Sequence, residues 1–322
     1  QRIYAARHIQ TPLDIEHQLI QLLPYGDMLN IAAAVQRLRV ALERAERIVI
    51  VGDFDVDGAT STTVAVLALR AMGAQHVSYL VPNRFEYGYG LSPEIVDVAA
   101  KQQPDLIITV DNGISSHAGV ERARSLGIDV LITDHHLQGE TIPQDCVIVN
   151  PNLIGDVFPS KALAGVGVIF YVMLALRAEC QRCGWFEKQG LTSPKMSQYL
   201  DLVALGTVAD LVPLDKNNRI LVQQGLSRIR QQNVRPGLLA LIEVSKRNAK
   251  QLLTSDFGFA IAPRLNAAGR LDDMSLGIEC LLSQDLQQAR LMAEQLDQLN
   301  VERKAIEQQM KLEALSLVAD LA

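Results

Sequence analysis

The chain reads as an α/β protein: a parallel β-sheet flanked by helices, followed by a helical region and a long C-terminal connecting helix. Three observations predict this. Short β-branched apolar runs recur at Ile48–Val51, Leu106–Val110 and Val130–Thr133, and runs unbroken by polar residues are typical of strands buried on both faces. Helical patterns separate them, which is the alternation of a parallel sheet with right-handed crossovers. Beyond residue 160 the strand signal fades, and helical periods continue into one amphipathic pattern over 285–320.

Taken in order, residues 11–46 are expected to be helical. Thr11-Pro12 can open a helix, and Ile31–Val35, Leu38 and Leu42 keep apolar spacings of three and four. The run Ile48–Val51 is a strand closed by Gly52. Ala59-Thr60-Ser61 leads into an apolar helix reaching Met72, with Gly73 as its stop. Val77–Val81 is a second strand, and Ser92-Pro93 opens a helix as N-cap and first residue. Strand 106–110, helix 116–126 ending near Gly127, strand 130–133 and a short strand Val147–Val149 complete the sheet unit. Helices follow at 166–183, 196–209, 218–231, 235–245 and 272–282. The last pattern, through Ala289, Met292, Leu296, Leu299, Ile306, Met310 and Leu315, would span about 50 Å at the rise of an α-helix.

Composition narrows the class. The 322 residues are 48% apolar, enough for one large domain or two modest ones, and no run approaches the ~18 apolar residues of a membrane span. No signal peptide is visible. The chain begins at Gln1 and its last residue, Ala322, lies within a helical pattern, so a piece of a longer protein is expected. Cys146, Cys180, Cys183 and Cys280 are too few and scattered for a disulfide scaffold, which favours the cytoplasm. No second pair or nearby His completes a zinc site with Cys180 and Cys183. The net charge is −6, but residues 216–250 hold Lys216, Arg219, Arg228, Arg230, Arg235, Lys246, Arg247 and Lys250 against the single acid Glu243. That excess suits a polyanion or a solvated helical face.

The chemistry gathers where the strands end. Asp53, Asp55 and Asp57 follow the first run, Asp111-Asn112-Gly113 the third strand, and Asp134-His135-His136 the fourth. Ligands in open α/β sheets bind at the carboxyl ends of strands, so these groups would meet on one rim. Unpaired like charges near a core are costly, and a divalent cation removes that cost. Adjacent histidines let one ligate while the other faces a substrate. Asp210, inside Leu205–Pro213, joins the site or caps a helix. Carboxylates and imidazole without thiolates suit Mn²⁺ or Mg²⁺ over structural zinc, and a shared carboxylate could hold two ions at ~3.5–4 Å. The calcium-loop reading of Asp53–Gly58 fails because its twelfth position is Val64, not Glu. No P-loop, G-x-G-x-x-G or G-x-S-x-G is present.

The four ordered motifs Asp53–Gly58, Asp111–Gly113, Asp134–His136 and Gly206–Asp210 resemble those of the DHH phosphoesterase superfamily. The stretches Val81–Leu91 and Pro263–Asp272 resemble its RecJ branch of bacterial single-stranded-DNA-specific exonucleases, and the similarity runs across nearly the whole chain. It implies a DHH catalytic domain over 1–283, with an α/β core at about 47–150 and a mainly helical part at about 160–283, then an interdomain helix at 284–322. It implies metal-dependent 5′→3′ hydrolysis of single-stranded DNA to 5′-mononucleotides in recombination and repair, with Mn²⁺ or Mg²⁺ as a pair of ions. The implied ligands are Asp55, Asp57, Asp111, His135 and Asp210, with Asp53 as a ligand or its support. His136 would face the scissile phosphate and Asp134 orient the histidines. Arg84, Asn112, Arg264, Asn266 and Arg270 would contact phosphates. Single-strand-binding protein and helicases are the implied partners of a cytoplasmic monomer. The family continues into a second domain of DHHA1 type and an oligonucleotide-binding fold, neither found in this sequence, so the piece is expected to hold metal yet cut DNA poorly. The alternatives are an oligoribonucleotide or cyclic-dinucleotide phosphodiesterase or a pyrophosphatase of the same superfamily, and a non-catalytic nucleic-acid or replication scaffold.

Overall fold

A computed structural model describes Thr11, residues 15–82 and residues 90–319. Five parallel strands form one sheet: β1 (Arg47–Gly52), β2 (His76–Leu80), β3 (Leu106–Val110), β4 (Asp129–Thr133) and β5 (Val147–Val149), in the order β2-β1-β3-β4-β5. Alternate residues serve two cores. Ile48, Ile50, Leu106, Ile108 and Leu131 face the larger one, and Val49, Val51, Ile107, Val130 and Ile132 face the smaller. This explains why each strand reads as a continuous apolar run. On the smaller side lie α3 (Pro93–Ala100) and α4 (His117–Ser125). On the larger side lie α1 (Ile31–Glu43), α2 (Val56–Ala71) and the helical half.

Register positions the chemistry. Gly52 pairs with Val110, and Val110 with Thr133, so the next residues, Asp53, Asp111 and Asp134, stand level along three adjacent strand ends. The ladder continues one step further, since Asp111 donates its N–H to Thr133 (3.0 Å). Among the described residues, no helix is long and apolar enough to cross a membrane.

The helical half comprises α5 (Gly165–Arg182), α6 (Trp185–Gln189), α7 (Leu200–Ala209), α8 (Lys216–Arg230), α9 (Pro236–Val244), α10 (Ala262–Leu271), α11 (Ser275–Leu282) and α12 (Leu286–Ala319). Helix α2 is buried almost all round and packs on α5 and α7. It tolerates its threonines because Thr60 and Thr63 donate to carbonyls of their own helix, Val56 (2.9 Å) and Ala59 (2.7 Å). The first half of α12 packs on α9, α10 and α11 through Ala289, Ala293 and Leu296. Past Asn300 its apolar residues Val301, Ile306, Met310 and Leu315 are exposed.

Three expectations are corrected. The stretch 11–46 is not one helix: residues 15–30 form 3₁₀ turns at Leu19–Gln21 and Tyr25–Asp27, and α1 begins only at Ile31. Pro24 and Gly26 break the pattern, and Asn30 adopts a left-handed φ of 63° before the helix. The opening Pro12 lies outside the described residues. Helix α10 was not expected; it is entered through a π-helical turn, Phe257–Ile261. Pro263 has no N–H for the carbonyl of Phe259 and crowds it, so the backbone widens there. Helix 196–209 divides into a 3₁₀ turn, Met196–Tyr199, and α7.

At the start of α9, Arg235 grips the buried Asp201 of α7 through Nε (3.0 Å) and Nη2 (2.9 Å). Removing one partner strands a buried charge. Arg235→Ala is expected to cost about 3–5 kcal/mol of unfolding free energy, read from urea denaturation.

Candidate metal centre

Each acid arrives with its own local support. Asp55 caps α2, its Oδ1 accepting the N–H of Gly58 (2.9 Å). Asp53 Oδ1 accepts from the Phe54 N–H (2.7 Å). Asp57 is fully buried, and its two oxygens accept the N–H groups of Gly165 (2.7 Å) and Val166 (2.9 Å) at the start of α5, where the helix dipole favours an anion. Asp111 stands in a left-handed turn with φ 63°, followed by Gly113 at φ 117°, and Thr109 Oγ1 braces that turn through the Asn112 carbonyl (2.7 Å). Asp210 is the C-cap residue of α7, so it both ends a helix and enters the site.

These groups converge on His135. Its Nε2 lies 3.1 Å from Asp111 Oδ1, 3.6 Å from Asp210 Oδ2 and 4.0 Å from Asp57 Oδ2. Among the described residues, three sets have ligand atoms all within 4.8 Å of one another: Asp57, His135 and Asp210; Asp53, Asp55 and Asp111; and Asp111, His135 and His136. Asp111 belongs to two of them, the position of a carboxylate shared between two ions. Among the described residues, His135 Nε2 and Asp210 Oδ2 are enclosed yet make no hydrogen bond, which suits donors reserved for a cation.

Asp134 works differently. Its Oδ1 accepts from the N–H groups of His135 (2.7 Å) and His136 (3.1 Å) and bonds His136 Nδ1 (2.7 Å), while Oδ2 accepts from Ile114 (2.8 Å). It aims both histidines and leaves the His136 ring half-exposed. Burial pushes Asp134 up, but the His136 bond and charge outweigh it and hold the carboxyl below its ordinary value; the same bond raises His136.

The remaining acids shift upward. Burial, reinforced by Asp55, pushes Asp53 up to about 7, and burial beside Asp55 pushes Asp210 up to about 6. Burial raises Asp57 and Asp111 well above the ordinary range, with Asp210 and Asp57 respectively as the next cause. Burial beside His136 lowers His135 to about 4, so it is neutral near pH 7, as a ligand must be.

The expected phosphate contacts fare unevenly. Arg84 lies outside the described residues. Asn112 is fully buried, its amide donating to Val51 (3.1 Å) and Val110 (2.9 Å) carbonyls; it fastens β1 to β3 rather than facing solvent. Arg264 is tied to Asp297 of α12 (2.8 Å) and the Ala260 carbonyl (2.5 Å). Asn266 Oδ1 accepts the Val56 N–H (3.2 Å), so it holds the acidic loop. Arg270 is half-exposed, 3.8 Å from Glu307. Sequence reasoning missed Asn150 and Asn152, whose amides donate to the His136 (2.9 Å) and His135 (2.5 Å) carbonyls. Their signal was present: Asn150-Pro151-Asn152 follows β5 on the same rim.

Two outcomes follow. Asp53 and Asp210 titrate in the unfolded chain near 3.8. Between about pH 4 and about pH 7 the folded chain holds protons that the unfolded chain has lost, so metal-free stability falls as pH rises. His135 acts in the opposite sense but is outnumbered. Thermal unfolding without metal should therefore weaken from about pH 5 to about pH 7, while Mn²⁺ affinity rises by about tenfold per pH unit for each displaced proton. In Gly165→Ala the new Cβ would stand 2.5 Å from Asp111 Oδ1; calorimetry should show Mn²⁺ affinity reduced by about tenfold.

Residues 47–207, half of the chain, match the family model for the DHH family, N-terminal domain. The single-stranded-DNA-specific exonuclease RecJ of Dickeya dadantii is 60% identical over 320 residues, which is 99% of this chain and 56% of that protein; the chain thus spans little more than half of that relative's length. A crystal structure of exonuclease RecJ bound to manganese aligns with TM-score 0.79 at 36% identity, covering 92% of this chain and 71% of that one. RecJ from Thermus thermophilus in complex with Mn²⁺ aligns with TM-score 0.80 at 33% identity, over 97% and 43% of the two chains. With the family model spanning half the chain and a 36%-identical relative covered over more than two thirds, this chain belongs to the DHH family, in its RecJ branch.

Proposed function

We propose that this chain carries the catalytic metal centre of a single-stranded-DNA exonuclease that degrades 5′→3′ and releases 5′-mononucleotides, in recombination and repair. The observation that carries the reading is the meeting of Asp57, Asp111 and Asp210 within 4.0 Å of one imidazole nitrogen. Asp55, Asp57, Asp111, His135 and Asp210 would hold Mn²⁺ or Mg²⁺, with Asp53 beside them. Bound there, the ions supply an activated water and neutralise the charge of the phosphodiester.

The protein's own residues do the rest. Asp134 aims His136 through Nδ1 and favours its protonated form, in which Nε2 can donate a proton to a phosphate or leaving oxygen. Asn150 and Asn152 lock the loop that carries both histidines. Asn266 and α10 hold the loop Asp53–Asp57 in place. Arg270 is open to a phosphate, whereas Arg264 reaches one only by leaving Asp297. In this reading α12 links to a second domain of DHHA1 type, single-strand-binding protein and helicases are partners, and the protein works as a cytoplasmic monomer.

The test is Mn²⁺-dependent release of mononucleotides from a 5′-phosphorylated single strand by the full-length protein. Asp111→Ala should slow it by about a hundredfold or more, with short RNA and cyclic dinucleotides as competing substrates. Cleavage at the parent rate would remove Asp111 from the centre, and preference for a cyclic dinucleotide would move the substrate class.

A further inference from the structure

The basic segment 216–250 takes no part in the metal centre, and most of its arginines are accounted for. Arg219 donates to the Leu214 carbonyl (2.8 Å), Arg230 to that of Leu252 (2.6 Å), Arg235 grips Asp201, and Arg247 pairs with Asp256 (3.1 Å). Arg228 differs. Near the end of α8, it lines a cavity of about 520 Å³. Among the described residues its Nε is enclosed without a hydrogen-bond partner, as is that of Arg219, but Arg228 has neither the carbonyl that Arg219 reaches through Nη1 nor a carboxylate partner. An enclosed guanidinium donor without an acceptor is unfavourable, and the planar fork of Arg matches a phosphate.

The rest of the wall narrows the ligand. Leu67 and Ala71 of α2 supply apolar lining, and Gln232 and Asn233, both exposed, add side-chain amides to it. The Asp201–Arg235 pair also lines the cavity and is neutral overall, so Arg228 gives it a net positive charge. The volume falls in the range of ~300–1,000 Å³ that holds small organic ligands; an inorganic anion would fill little of it.

We propose that this cavity binds a small phosphate monoester of nucleotide size. The phosphate sits on Arg228, the body lies against Leu67 and Ala71, and polar edges meet Gln232 and Asn233. The site is separate from the metal centre. Helix α2 carries Asp57 at one end and Ala71 at the other, about 21 Å apart along its axis, and α7 likewise runs from Asp201 at the cavity to Asp210 at the metal centre. The proposal does not depend on the nuclease reading.

The experiment is calorimetric titration of the metal-free chain with dAMP and, separately, with inorganic phosphate. Expected results are binding of dAMP about tenfold tighter than phosphate, equal binding by Asp111→Asn, and about tenfold weaker binding by Arg228→Gln. Gln232→Glu, at an exposed position, places a carboxylate in the cavity lining and should weaken dAMP binding while leaving folding intact. The proposal is overturned by absence of dAMP binding at millimolar concentration, by phosphate binding as tightly as dAMP, or by unchanged binding in both cavity variants. It is equally overturned if Asp111→Asn abolishes binding, which would put the nucleotide at the metal centre.

Discussion

The carboxylate of Asp57 is the joint on which both halves of the molecule turn. It leaves β1 with the acidic loop, sits at the base of α2, and accepts the first two free N–H groups of α5. A fully buried anion is costly; two main-chain donors and the positive end of an 18-residue helix offset part of that cost. The same contact fixes where α5 starts relative to the sheet. Helix α7 closes on the other side, where Gly206 lies so near α2 that a Cβ would collide with Thr60 Oγ1 and come within 2.8 Å of Asp57 Oδ1. Gly165 and Gly206 are therefore small for one reason: each makes room for an acid oxygen.

The strand ends make the acids neighbours, and the helical half makes them crowded. Asp53, Asp111 and Asp134 reach the rim by register alone. Asp210 reaches it only because α7 ends there. The crowding explains the opposite behaviour of otherwise similar groups. Asp134 has four hydrogen bonds and stays ionised, whereas Asp57, Asp111, Asp53 and Asp210 resist ionisation until a cation is supplied.

Much of this was legible in the residues. Five strands, their parallel alternation and the convergence of Asp53, Asp111 and Asp134 all follow from short apolar runs with polar ends, because side-chain burial on both sheet faces leaves no other pattern. The long last helix was legible for the same reason. Residues 15–30 were not, since their apolar positions imitate helical spacing while Pro24 and Gly26 forbid it. The roles of Asn112, Arg264 and Asn266 were hidden because an amide or a guanidinium looks alike in sequence whether it holds backbone or grips a ligand. Asn150 and Asn152 were overlooked although Asn150-Pro151-Asn152 follows β5 on the same rim, because they hold the histidine loop through its carbonyls and not through a ligand.

The widened turn at Phe257–Ile261 sets the phase of helix α10. A π-helical turn carries one residue more than an α-helical turn would, and each residue of a helix advances the azimuth by about 100°. Without that surplus residue, α10 would present a different flank to the acidic loop. Asn266 would swing away from the Val56 amide. Gly269, now so close to Phe54 that a Cβ would overlap its carbonyl oxygen, would give way to a bulkier neighbour. An irregularity in the helical half is thus the clockwork that times α10 to the acidic rim.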